Sequence, residues 1–272
     1  MQCDPDPAPQ PARREPTGRL LKPGLCNKCK AEKPVVVVKR AEFCRACFLS
    51  SVSHRFRANL SKTPLSEGSR TMLAFSGGPS SRAMLHAMAD FAAPDAANPR
   101  KKIRFPDFCV CHVDQSAVLG NADSLPAVLR IAESYGRPVS VVPLESALDG
   151  APLAAVDAAS VAPLAAARSL AIRSLEDAQI DRRAALRHMF DGLGSASSRE
   201  DMLRLMTLHV LLAEARRQKC TGLLLADNAT LLAVRVIANT SKGRGLSLPA
   251  DIGDTDWYPG KCLAAIVFSF II

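Results

Sequence analysis

The sequence predicts an α/β protein: a parallel sheet with helices on both faces, preceded by a small cysteine-rich module. Three observations carry this. Short apolar runs alternate with stretches of helical periodicity at intervals that suit a parallel sheet. One run, Met72-Leu73-Ala74-Phe75, passes straight into Ser76-Gly77-Gly78 and then a helical pattern through Met84, Leu85 and Met88. Two Cys-X-X-Cys pairs, Cys26/Cys29 and Cys44/Cys47, stand ahead of that unit with fourteen residues between them.

Composition narrows the class. The 272 residues allow one large domain, or one with an appendage, and 48% hydrophobic residues supply an ample core. Lys+Arg 35 against Asp+Glu 26 gives a net charge of +9, which suits a nucleic-acid partner without requiring one. Residues 1–24 hold six prolines and no apolar core, so they read as a disordered tail rather than a secretory leader. Paired cysteines without a leader favour metal over disulfides. No run reaches the roughly 20 apolar residues that span a bilayer, so no membrane partner is expected.

Two Cys-X-X-Cys knuckles at this separation can aim Cys26, Cys29, Cys44 and Cys47 at one tetrahedral Zn2+ ion. Four protein ligands leave no open position, so the metal is structural. Residues 34–40 between them read as a strand, and Phe48, Leu49, Val52, Phe56 and Leu60 have helical period. Residues 25–60 thus form a zinc knuckle module with a basic helix. Lys39, Arg40, Arg45, Arg55 and Arg57 make a basic surface there, suited to phosphate contact with RNA; a merely solvated helix face accounts for them equally well.

The α/β domain is expected over 70–256. Its first unit is the strand, glycine turn and helix already described. Two glycines at a strand end let backbone N–H groups approach an anion at a helix N-terminus; Ser80 and Ser81 can cap that helix or donate hydroxyls. Residues 103–113 form a second apolar run ending in His112-Val113-Asp114, and 139–144 a third. In such a sheet the ligand site lies at the carboxyl ends of the strands, where Ser76-Gly77-Gly78 and Asp114 fall. Cys109 and Cys111 share one face of their strand and read as core cysteines rather than metal ligands. An alanine-rich insert occupies about 145–198. Residues 200–219 read as an amphipathic helix lined by Leu203, Met206, Val210 and Ala213. Residues 221–226 form a fourth strand, Asp227 and Asn228 cap the helix after it, and Lys242 and Arg244 make a basic loop. Cys220 is read as solitary. The closing apolar run, within 257–272, carries no turn, cap or charge and reads as an atypical, aggregation-prone tail of a truncated form.

The loop resembles the pyrophosphate loop of the ATP-pyrophosphatase (PP-loop) superfamily, whose usual form is Ser-Gly-Gly-X-Asp-Ser. Ser76, Gly77, Gly78 and Ser81 match; Ser80 stands at the acidic position. The order of features is more specific still. A double Cys-X-X-Cys, a basic helix, Ser-Gly-Gly-Pro-Ser-Ser, His-Val-Asp and a late Gly-Arg-Gly loop together resemble the cytoplasmic tRNA 2-thiolation protein 2 family, the second, non-catalytic subunit of a wobble-uridine thiolation complex.

The resemblance implies a PP-loop fold of the adenine nucleotide alpha hydrolase type and a cytoplasmic heterodimer with a catalytic homologue. It further implies sulfur transfer from a thiocarboxylated ubiquitin-related modifier to tRNAs for Lys, Glu and Gln. Carried over residue by residue, it makes Ser76, Gly77, Gly78, Ser80, Ser81, Asp114 and Asp227 a degenerate nucleotide site, with ATP/Mg2+ binding weakened by Ser80. The basic residues Lys39, Arg40, Arg45, Arg55, Arg57, Lys242 and Arg244 are read as the tRNA contacts such a role needs, and no residue of the chain is expected to be catalytic. Two other readings compete: an independent ATP-dependent adenylating enzyme of the same superfamily, which Ser80 disfavours, and a zinc-ribbon RNA-binding module, which leaves Ser-Gly-Gly unexplained.

Overall fold

The computed structural model describes residues 24–38, 40–62, 70–93, 107–120, 125–148, 181–248, 255–258 and 263–267. The proline-rich tail up to residue 23, most of the alanine-rich insert and Lys39 lie outside them. The chain divides into two compact units, Met1–Val52 and Ser53–Ile272.

In the first unit, β1 (Val36–Val38) and β2 (Ala41–Phe43) pair antiparallel, with Val37 opposite Glu42. The expected single strand over 34–40 is therefore a correction: the described residues form two short antiparallel arms instead. The reversal brings the second knuckle back beside the first, where Asn27 N–H donates to Glu42 O at 2.8 Å. Helix α1 (Arg45–Lys62) starts inside the second knuckle and continues past the unit boundary.

In the second unit a six-stranded sheet runs in the order β5-β4-β3-β6-β8-β7. Its members are β3 (Thr71–Ala74), β4 (Phe108–Asp114), β5 (Val139–Pro143), β6 (Gly222–Leu225), β7 (Thr255–Tyr258) and β8 (Leu263–Val267). All neighbours are parallel except β7, which runs antiparallel to β8. The apolar closing run thus holds a strand: Ala264–Val267 pairs in register with Gly222–Leu225. Pairing satisfies the backbone groups that a bare apolar tail would leave open.

Side chains alternate across the sheet and separate two cores. Met72, Cys109, Cys111, Val113 and Leu223 face α5 (Arg182–Asp191) and α6 (Ala196–Arg217). Leu73, Phe108, Val110 and Leu224 face Phe56 and Leu60 of α1, Met84, Leu85 and Met88 of α2 (Pro79–Ala92), and Ala132 of α4 (Leu125–Glu133). The short α3 (Ser116–Leu119) follows β4, and α7 (Ala229–Ser241) follows β6. Helix α6 departs from the one-sided expectation. His209, Val210, Leu211, Leu212, Glu214 and Ala215 are all buried, whereas Leu203 and Ala213 are only partly so.

Candidate functional site

Two arrangements carry candidate chemistry, one in each unit. In the first, the knuckles bring four sulfurs together: the Sγ atoms of Cys26, Cys29, Cys44 and Cys47 all lie within 4.8 Å of one another. Cys29 and Cys44 are 3.8 Å apart, the edge of a tetrahedron with Zn–S bonds of about 2.3 Å being about 3.8 Å. The first knuckle turns on Lys30, whose φ of 55° closes the Lys30 N–H to Cys26 O bond at 2.8 Å. The Cys47 N–H lies 3.5 Å from Cys44 Sγ. Burial raises the Cys26 thiol, but backbone N–H groups of Cys29, Cys44 and Lys28 outweigh it and bring it down to about 6. The Cys47 N–H lowers Cys44, yet burial together with Glu32 and the neighbouring sulfurs pushes it up to about 12. Such a set shares its protons among converging sulfurs, and a metal ion that takes their place fits the four donors.

The second arrangement lies at the carboxyl edge of the sheet. After β3, Gly77 takes φ +80°, and a Cβ there would lie 2.7 Å from Val128 Cγ2. The turn therefore needs glycine for conformation and for space. Helix α2 starts with Gly78 as N-cap and Pro79 in its first turn, where a missing N–H costs nothing. Neither Ser80 nor Ser81 caps it. Ser81 Oγ donates to Gly78 O at 3.0 Å, Ser76 Oγ donates to Ser81 Oγ at 3.2 Å, and Gly78 N–H reaches Ser76 Oγ at 3.4 Å. Arg82 Nε donates to Gly77 O at 2.7 Å. Across the strand ends, Asn228 Nδ2 donates to Ser80 Oγ at 3.1 Å while Asn228 Oδ1 accepts from Leu231 N–H at 2.7 Å. The structure thus joins the loop to the start of α7, the helix after β6.

The acidic candidates are engaged elsewhere. The sequence expectation makes Asp227 a helix cap beside Asn228. Instead Asn228 alone caps α7, and Arg235, two turns along that helix, takes both carboxylate oxygens of Asp227. Asp114 ends β4 and accepts the Ser116 N–H at 2.9 Å, turning the chain into α3. His112, one face away from Cys109 and Cys111, has Nδ1 2.7 Å from Phe75 O and braces the loop's parent strand.

Among the basic candidates, Arg40, Arg45 and Arg55 are exposed, and exposed Arg57 pairs with Asp90 at 2.7 Å. Lys242 and Arg244 share one carboxylate, that of Asp201 on α6, at 2.9 and 3.0 Å. Sequence reasoning missed this acceptor because forty-one residues separate it from Lys242.

Cys220 is not solitary. Its Sγ lies 3.8 Å from Cys109 Sγ, because β4 and the residues before β6 flank the start of β3. The shared hydrogen bond lowers Cys109 and raises Cys220. Burial pushes Cys111 up to about 11, as befits a core thiol. The Cys109/Cys220 pair sits near the amino ends of the strands, opposite the Ser-Gly-Gly edge. No helix of the described residues is long and apolar enough to cross a membrane.

Comparison with known proteins agrees with the motif order. No family model matches the chain. Curated proteins named Cytoplasmic tRNA 2-thiolation protein 2 do match. The human protein is 29% identical over 93% of this chain and 55% of its own length. The bovine protein is 30% identical over 85% of this chain and 52% of its own length, and the rat protein 28% over 94% and 54%. The chain spans about half the length of these relatives. Among solved structures, the U34-tRNA thiolase NcsA from Methanococcus maripaludis, determined with its 4Fe-4S cluster, superposes with a TM-score of 0.58 over 90% of this chain and 67% of that one. At 16% identity this likeness establishes the fold, and the expected α/β sheet with helices on both faces is the one observed.

Proposed function

We propose that this chain, a relative of the cytoplasmic tRNA 2-thiolation protein 2 family over most of its length, is a non-catalytic subunit of a cytoplasmic complex that 2-thiolates the wobble uridine of tRNAs for Lys, Glu and Gln. The chemistry of such a complex is adenylation of the uridine C2 oxygen followed by displacement of AMP by sulfur. Activation converts a poor leaving group into a good one, so the active subunit holds ATP beside the base. The observation that carries the present reading is the state of the Ser-Gly-Gly loop. Its acidic position is neutral Ser80, its hydroxyls bond to one another and to Asn228, and the nearby carboxylates of Asp227 and Asp114 are tied to Arg235 and to the Ser116 N–H. Magnesium is held chiefly by carboxylate and phosphate oxygens, and a carboxylate already bonded to a guanidinium offers it less. The loop retains the shape of a nucleotide site without its charge.

In this reading the chain supplies fold, RNA contact and a partner surface, while a catalytic homologue receives sulfur from a thiocarboxylated ubiquitin-related modifier and delivers it. Arg40, Arg45, Arg55, Arg57, Lys242 and Arg244 are the tRNA contacts, joined by Lys39. The four cysteines hold zinc as a closed structural site that fixes the knuckle hairpin.

The test is complementation. Cells lacking the second subunit receive this chain or a full-length relative, and tRNA for Lys is resolved on a mercury-containing gel. Restored retardation, together with co-purification of the catalytic subunit, is expected. Failure of both, while the relative restores thiolation in parallel, removes the reading.

A further inference from the structure

Residues at the carboxyl end of α7 gather around one carboxylate. Lys242 follows the last turn, Gly243 adopts φ +72°, and the chain closes with Gly243 N–H on Thr240 O at 3.0 Å and Arg244 N–H on Asn239 O at 2.8 Å. These two bonds are the left-handed glycine closure that ends many helices, and they fix the backbone of the two cationic residues relative to α7. Asn239 beneath them is buried. Lys242 Nζ lies 2.9 and 3.0 Å from the two oxygens of Asp201, and Arg244 Nη1 lies 3.0 Å from one of them. The lysine and aspartate side chains are only 25% and 22% exposed, whereas Arg244 is 48% exposed. Partial burial makes this a stronger arrangement than an open surface pair, and an anionic ligand must compete with it.

A carboxylate with two oxygens held by an ammonium and a guanidinium has the donor arrangement of a phosphodiester between the same cations. We propose that Asp201 is a built-in counter-anion: it keeps Lys242 and Arg244 assembled and masked, and an RNA backbone phosphate takes its place when RNA docks. The proposal deepens the RNA reading above and rests on it for the identity of the occupant. Exchange of an internal carboxylate for a phosphate makes docking selective. Only an RNA held by other contacts gains enough at this point to displace Asp201, so stray polyanions are disfavoured.

The test uses the full chain and its Asp201→Asn variant, which keeps the side-chain shape and removes the charge. Two probes are titrated against each: an unmodified tRNA for Lys, across a salt series, and inorganic tripolyphosphate, by calorimetry. Asp201→Asn is expected to bind both several-fold more tightly. Its log affinity against log salt should steepen by about one unit, because the positive charge that Asp201 no longer neutralises makes RNA binding release about one more counterion. Adding Lys242→Gln and Arg244→Gln to that variant is expected to cancel the gain.

A gain for tripolyphosphate with no tRNA binding by either protein overturns RNA as the occupant, and with it the RNA reading, while leaving the phosphate site in place. No gain for either probe, with an unchanged melting temperature, overturns the counter-anion role itself. Should Asp201→Asn fail to fold, the Lys242→Gln/Arg244→Gln double variant decides: its tRNA affinity is expected to fall several-fold with a flatter salt slope, and unchanged affinity overturns the proposal.

Discussion

At Gly77 two requirements coincide. Its φ of +80° is costly for any residue with a Cβ, and that Cβ would also meet Val128 of α4 at 2.7 Å. Gly120 takes a similar φ of +68° with nothing within 4 Å. Gly120→Ala is therefore expected to cost only the backbone term, about 1 kcal/mol. Gly77→Ala is expected to cost about 2 kcal/mol or more, because a branched, packed side chain must also move. Urea denaturation of both variants checks the difference, and equal losses would show that α4 yields without cost. Glu214 is a second residue whose character comes from its neighbours. Two bonds of 2.7 Å from Arg217, then a bond from Gln218, hold its carboxyl below the ordinary range despite burial.

At the scale of elements, Asn228 links the starts of α2 and α7 directly. Asn228 caps α7 through Leu231 N–H and reaches across to Ser80, so one residue sets both the start of the helix and the position of the loop. Asn228→Ala is expected to destabilise by about 1 kcal/mol from the lost cap alone. It should also speed amide exchange at residues 229–231 and in the 76–81 loop, read by hydrogen-exchange mass spectrometry. Protection lost only in α7 would mean that the Ser80 bond holds nothing in place. Helix α6 shows how context overrides pattern. Its apolar residues suggest a stripe, yet residues from several sides are buried, because α6 packs against both the sheet and the segment after β5.

At the scale of the whole molecule, the cysteine cluster is the feature most open to direct measurement. The protein is expected to carry one zinc ion per chain by mass-spectrometric metal analysis. Cys26→Ser/Cys29→Ser is expected to lose it and to expose residues 24–52 to protease. Iron in place of zinc, with a visible charge-transfer spectrum, would instead assign the four sulfurs to an iron–sulfur centre. The apolar closing run belongs to this scale too: its strand completes a ladder whose partner, β6, lies some forty residues earlier.

Local chemistry was legible in the sequence. Two Cys-X-X-Cys spacings predict converging sulfurs, since each knuckle needs only its own turn. Met72–Phe75 running into Ser76-Gly77-Gly78 predicts a strand, an anion-type turn and a helix, because apolar period and glycine placement act within a few residues. Alternating strands and helices predicted the parallel sheet. What the sequence could not decide were pairings between side chains distant along the chain: Cys109 with Cys220, Asn228 with Ser80, Lys242 and Arg244 with Asp201. Only the tertiary structure decides these: sheet order, here β4-β3-β6, brings together the strand ends behind the first two pairings, and the third joins the first turns of α6 to the end of α7. Hydrogen bonds and ion pairs then depend on distances of about 3 Å that only packing sets.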